Sequence, residues 1–262
     1  HWISEKEAEK ILIQLTGKIQ GSPYGRDKIG VNSGVHFTGG EPFLNFELLL
    51  KITRIANELK IPSTFVETNC SWCINDKTTR KKLSQLKNAG IVGILISVNP
   101  FILEKVSFEK TERAIQISRE IFGRNAIIYQ EYFYKKFKSL NIKNSLHLEK
   151  FLLKSPESLL YIELLLMGRA PYTLGNLYWR YPSEKYFGSS CTTELTREWH
   201  NHIDNYYNYI PGFCGGISLG DARNLNSLLK GIDLVERPIL NALVTDIQKL
   251  YEIGAELGYK EL

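Results

Sequence analysis

The feature that most limits what this chain can fold into is a regular exchange between short apolar runs and longer amphipathic stretches, sustained from the first residues to Lys154. Ser4 and Glu7 make a capping-box pair ahead of Ala8, Ile11, Leu12, Leu15 and Ile19, which fall on one helical stripe. A Gly/Pro-rich loop over 21–32 leads to a strand at Val35–Thr38, and a helix capped by Asn45 turns Leu49, Ile52, Ala56 and Leu59 inward. The unit then repeats. Thr64–Glu67 reads as a strand, Lys77–Asn88 as a helix closed near Gly90, and Ile94–Val98 as a strand. Glu109–Phe122 follows as a helix stopped by Gly123, and Ala126–Gln130 as a strand. Strands alternating with helices of this length pair in parallel through right-handed crossovers, which predicts an α/β fold. A helix over Leu146–Lys154 and one more buried element over Leu159–Met167 extend the pattern.

After Pro171 the rhythm breaks. Residues 172–209 are rich in aromatics and turn formers, and a glycine-rich stretch over 211–220 follows. A terminal region over 224–262 carries Pro238 at a helix start and Leu240, Leu243, Ile247, Leu250 and Ile253 as one apolar stripe. The expected organisation is therefore a main α/β body over 1–170 and a smaller extension over 171–262. With 262 residues and 43% hydrophobic content the chain can bury one large core, and no apolar run approaches membrane-spanning length. The charged, helical opening does not read as a secretion signal, so the cytoplasm is the expected compartment. A net charge of +5 spread over mixed-sign helices indicates solvated faces rather than a nucleic-acid partner.

In a parallel α/β fold the loops at the carboxyl ends of the strands gather on one side. The first of them is Thr38-Gly39-Gly40-Glu41-Pro42. Two glycines let backbone approach a ligand closely, carbonyls and a carboxylate accept from an ammonium group, and Pro42 fixes the exit into a helix. Such a loop suits an amino-acid ligand better than a phosphate. Two further strand ends are Glu67-Thr68-Asn69 and Ile96-Ser97-Val98-Asn99, and Met167-Gly168-Arg169-Ala170 closes the late element.

In order and spacing, the run Val35-His36-Phe37-Thr38-Gly39-Gly40-Glu41-Pro42-Phe43-Leu44 with the next two strand ends resembles the second, third and fourth strand ends of radical S-adenosylmethionine (radical SAM) enzymes. The resemblance implies a partial parallel (β/α)6-type barrel with a small Cys/His-containing C-terminal extension. It assigns Thr38, Gly39, Gly40, Glu41 and Pro42, with Asn69 nearby, to the methionyl amino group of S-adenosylmethionine, and Ser97 and Asn99 to its ribose. Arg169, with its fork of donors, is the candidate partner of the ligand's carboxylate. The family places a Cys-x3-Cys-x2-Cys loop after its first strand to hold a 4Fe-4S cluster. No three cysteines here have that spacing, so the cluster ligands are expected upstream of His1. The resemblance further implies an electron donor such as flavodoxin or ferredoxin and a small-molecule or peptide substrate.

The four cysteines are too few for a disulfide scaffold. Cys70 and Cys73 have a chelating spacing but no second pair close by, and read equally as two thiols beside the site. Cys191 and Cys214 frame His200-Asn201-His202, a hairpin resembling the SPASM or twitch module that carries an auxiliary iron-sulfur cluster. If His200 and His202 alternate on a strand, both face one side and complete a metal site with Cys191 and Cys214; a buried histidine pair in a polar loop is the other reading. Two functions stand open on the sequence. One is a radical SAM enzyme; the other is a non-catalytic zinc-binding module on the same scaffold.

Overall fold

The computed structural model describes residues 1–164, 170–212 and 216–260. The chain divides into two compact units, Ser4–Glu163, and Leu164–Leu262 together with His1–Ile3. In the first unit α1 spans Glu5–Leu15 and opens where Ser4 Oγ accepts from the Glu7 amide. The elements then run β1 (His36–Phe37), α2 (Phe46–Glu58), β2 (Phe65–Thr68), α3 (Asp76–Ala89), β3 (Gly93–Ser97), a short α4 (Pro100–Leu103), α5 (Phe108–Phe122), β4 (Ala126–Tyr129), α6 (Glu131–Ser139) and α7 (Leu148–Lys154). The caps explain most of these boundaries. Asn45 Oδ1 accepts from Leu48 N at the start of α2, and Asn75 does the same for Thr78 N at the start of α3. Gly90 ends α3 in the left-handed conformation, φ 112°, which a residue with a Cβ adopts only under strain.

The four strands form one parallel sheet in the order β1-β2-β3-β4. Because side chains alternate, register partners share a face. Phe37, Val66, Ile94, Ile96, Ala126 and Ile128 point to the main core, where Leu49, Leu50, Leu83, Leu86, Ile115 and Ile117 from α2, α3 and α5 cover them. The opposite face carries a smaller cluster of Phe65, Leu95 and Ile127, closed by Ile29 from the loop before β1. His36 packs its ring against Phe65, centroids 5.0 Å apart, as a residue of this second face.

One expected element of the first unit takes another form. The run expected to be buried over Leu159–Met167 begins as a 3-10 helix, Pro156–Tyr161, in which Leu159, Leu160 and Tyr161 are exposed; residues 165–169 lie outside the described residues. The cause is local. Pro156 presets the backbone of the first helical residue, and the Ser155, Glu157 and Ser158 side chains bond among themselves and tighten the turn.

The second unit contains the short helices α8 (Ala170–Thr173) and α9 (Thr192–Leu195) and a three-stranded antiparallel sheet, β5 (His202–Ile203), β6 (Asn208–Ile210) and β7 (Gly220–Asp221). Then come α10 (Leu225–Leu228), α11 (Pro238–Thr245) and α12 (Ile247–Glu256). The stripe from Leu240 to Ile253 is therefore two helices, not one. Asp246 stands between them in extended conformation, and its Oδ1 accepts from the amides of Gln248 and Gly188, so it starts a second helix instead of continuing the first. Among the described residues no helix is long and apolar enough to cross a membrane.

Candidate functional site

The carboxyl ends of β1, β2, β3 and β4 lie side by side in the first unit, and the glycine turn leaves the first of them. Pro42 opens a single 3-10 turn, Pro42–Asn45, and Glu41 is its cap, accepting from Phe43 N at 3.2 Å. The Glu41 carboxylate also accepts from Thr68 Oγ1 at 3.0 and 2.9 Å and from Asn69 N at 2.8 Å. It is 3% exposed. Burial pushes its pKa up, against the lowering effect of these hydrogen bonds, and the nearby Glu67 charge adds to the rise. The carboxylate expected at a ligand's amino group is thus the group that fastens the turn to β2.

Thr68 is the hub of that fastening. Its hydroxyl donates to Glu41 and accepts from Cys70 N at 3.0 Å and Trp72 Nε1 at 2.9 Å, and the Trp72 ring stacks on Phe43 with centroids 3.8 Å apart. Above this rigid base the turn is open. Gly39 has φ 137°, and a Cβ built on Gly39 or Gly40 meets nothing within 4 Å. Asn69 Nδ2 reaches the Gly40 carbonyl at 3.5 Å, at the limit of a hydrogen bond, while its Oδ1 accepts from Ser71 N.

On the second face of the sheet a polar row crosses the strand ends. Thr38 Oγ1 donates to Glu67 Oε2 at 2.9 Å, and Ser97 Oγ donates to Glu67 Oε1 at 2.7 Å. Tyr129, the register partner of Ser97, donates its phenol proton to Glu163. Burial raises the Tyr129 pKa first, and the Glu163 and Glu67 carboxylates raise it further, so the phenol keeps its proton. Asn99 serves as the cap of α4, its Oδ1 accepting from Ile102 N at 3.0 Å. Thr38, Gly39, Gly40, Glu41, Pro42, Asn69 and Ser97 therefore gather at one sheet end, and Asn99 follows β3 with its oxygen already engaged.

No family model matches this chain, and no curated protein does. The site stands on its geometry and on the sequence motif.

Sequence reasoning left Glu67 unassigned and did not single out Tyr129 or Glu163. The signal for two of them was present: Ser97 and Tyr129 are the paired last residues of β3 and β4, Glu67 is the penultimate residue of β2, and Thr38 directly follows β1. Glu163 lies beyond the regular strand-helix pattern and carries no such signal.

Of the remaining candidates, Cys70 and Cys73 belong to the first unit and Cys191, His200 and His202 to the second. Cys70 and Cys73 are both fully buried, and burial followed by the neighbouring Cys73 thiol holds the Cys70 thiol well above its usual pKa. In the second unit His200 and His202 bring their rings to 5.1 Å between centroids, but they do not alternate along a strand. His200 precedes β5 with φ 58°, because the chain turns there before pairing begins. The amide of Cys191 donates to Leu243 O, which ties this cysteine to α11. Among the described residues no three His, Cys, Asp or Glu side chains converge as a metal site. Cys214 and Arg169 lie outside the described residues.

Proposed function

We propose that the first unit binds S-adenosylmethionine at this sheet end and that the protein is a radical SAM enzyme, its sheet forming part of a (β/α)6-type partial barrel. The observation that carries the reading is the Gly39-Gly40 turn: open above, and locked from below by the buried Glu41. A cradle of that shape, with glycine where any side chain would fill the space, fits the methionyl end of the cofactor. The residues divide the work as follows. The Gly39 and Gly40 carbonyls and the Glu67 carboxylate take the ammonium group, and Thr38 and Ser97 lie beside them for the ribose. Glu41 and Thr68 hold the turn in place; Arg169, the sequence's candidate for the carboxylate, lies outside the described residues. Asn99 orients the loop after β3 through its cap.

Together with a 4Fe-4S cluster, S-adenosylmethionine supplies a 5'-deoxyadenosyl radical that abstracts hydrogen from a substrate, here a small molecule or a peptide. Cys70 and Cys73 do not fit the cluster, since both thiols are shut in the core with a raised pKa. Its ligands are proposed to come from residues upstream of His1. An electron donor of the flavodoxin or ferredoxin type and a cytoplasmic location belong to the same proposal.

Titration calorimetry of the chain with S-adenosylmethionine tests the binding half of this reading without any turnover. Gly40→Leu is the informative variant. Gly40 lies outside the left-handed range and its Cβ position is open, so the variant is expected to keep its melting temperature while losing affinity about tenfold or more. Absence of binding by the wild-type chain, or equal affinity in the variant, would remove the reading.

A further inference from the structure

In the second unit β7 is an edge strand, and the chain that follows it borders a cleft of about 440 Å³, within the range of small-ligand sites. Leu219, Leu228 and Ile232 give the cleft an apolar wall, and Asp233, Glu236 and Arg237 line the same space. The partners of each charge decide what the cleft can take. Asp221, also in the lining, is already neutralised by Arg223, which donates Nε at 3.0 Å and Nη2 at 2.6 Å to its carboxylate. Arg237 donates Nη1 to the Leu219 carbonyl at 2.8 Å, which fixes the guanidinium and leaves its other N–H groups without a partner among the described residues. Asp233 Oδ1 accepts from Val235 N at 2.9 Å, while its Oδ2 and the Glu236 carboxylate have no partner among the described residues. One cation and two anions therefore line one cleft without joining in an ion pair.

We propose that this cleft binds a free cationic α-amino acid, for which arginine is the probe. The ligand's carboxylate meets the Arg237 guanidinium as a forked pair, and its α-ammonium and side-chain cation meet the Asp233 and Glu236 carboxylates. Three charges on the ligand answer three on the protein, and the aliphatic stem between them lies along the wall of Leu219, Leu228 and Ile232. Ligands with fewer charges are selected against. A plain carboxylic acid brings its charge beside two like ones, a diamine leaves its second cation facing the guanidinium, and an uncharged side chain leaves one carboxylate unanswered. The cleft shares no residue with the strand-end site, and the proposal stands without the S-adenosylmethionine reading.

Titration calorimetry of the whole chain at low ionic strength with arginine and three analogues tests the cleft. Agmatine lacks the carboxylate, norvaline lacks the guanidinium, and Nα-acetylarginine lacks the α-ammonium and stands for a residue within a peptide. Arginine should bind about threefold or more tightly than each of them, the size expected for one exposed ion pair, and its lead should shrink as salt is added. Arg237→Gln should erase the preference over agmatine and keep the preference over norvaline. Glu236→Gln should keep the preference over agmatine and narrow that over norvaline or Nα-acetylarginine, a crossed pattern that general loosening of the fold would not give. Gly40→Leu, in the first unit, should bind arginine as the wild type does, so a failure of the cofactor reading is told apart from a failure here. No binding of arginine by the wild type, equal binding of all four compounds, variants that weaken all four alike, or loss of arginine binding in Gly40→Leu would overturn the proposal; Nα-acetylarginine binding as tightly as arginine would overturn the choice of a free amino acid over a peptide.

Discussion

Replacing Glu41 with Ala is expected to destabilise the first unit by about 4 kcal/mol. The change leaves the Thr68 hydroxyl and the Asn69 and Phe43 amides without their acceptor at a buried position, at about 1–3 kcal/mol for each orphaned group, less what local relaxation recovers. Urea denaturation of the two proteins measures the difference; a loss under about 1 kcal/mol would mean that the carboxylate does not fasten the turn. The effect carries a pH signature. Burial holds the folded-state pKa above the ordinary 4.5, so the folded chain binds this proton more tightly than the unfolded chain does. The stabilisation linked to this group is greatest below the ordinary value and is lost as pH rises through the raised one. The gap between wild type and variant should therefore narrow on going from acid towards neutral pH, and a gap that widens would contradict the burial of this group.

Phe137→Ala is expected to be comparably damaging, at about 4 kcal/mol. Phe137 is 1% exposed and sits among Phe108, Phe133 and Phe151, at 5.5, 6.0 and 5.2 Å between centroids, edge-on to two of them. This cluster joins α5, α6 and α7, and α6 starts two residues after Tyr129. Phe137→Leu should recover about half of the loss by refilling most of the volume without the ring geometry. Urea midpoints compared at a common slope give both values. An alanine variant within about 1 kcal/mol of wild type would mean that the cluster closes over the gap.

The sequence pattern carried the first unit well because each signal was local. Asn45, Gly90 and Gly123 mark helix ends through their own caps and backbone angles, and the apolar runs alternate with helices at intervals that admit parallel pairing alone. It failed where polar side-chain bonds, local in one case and distant in the other, overrode the apolar pattern. The apolar residues Leu159 and Leu160 look buried by composition, yet Pro156 and the serines around it wind them into a 3-10 turn that leaves them exposed. Asp246 interrupts a stripe whose periodicity never breaks, because its role depends on the distant Gly188 amide as well as on Gln248. The site divides in the same way. Gly39, Gly40 and Glu41 announce themselves as a motif, but that Glu41 turns inward, and that Glu67 is shared by Thr38 and Ser97, depends on a strand register that the sequence does not print.

The order of the parallel sheet has a kinetic consequence. Every strand pairs with its immediate predecessor, and each pairing closes roughly 30 residues of chain. The entropic cost of closure is nearly the same at each step, since it grows only with the logarithm of the length enclosed. No strand must wait for a remote partner, as it would in a sheet whose middle strand comes last in sequence. Assembly can proceed by adding one strand-helix unit at a time in the order in which a ribosome delivers them, each docking on an edge already built.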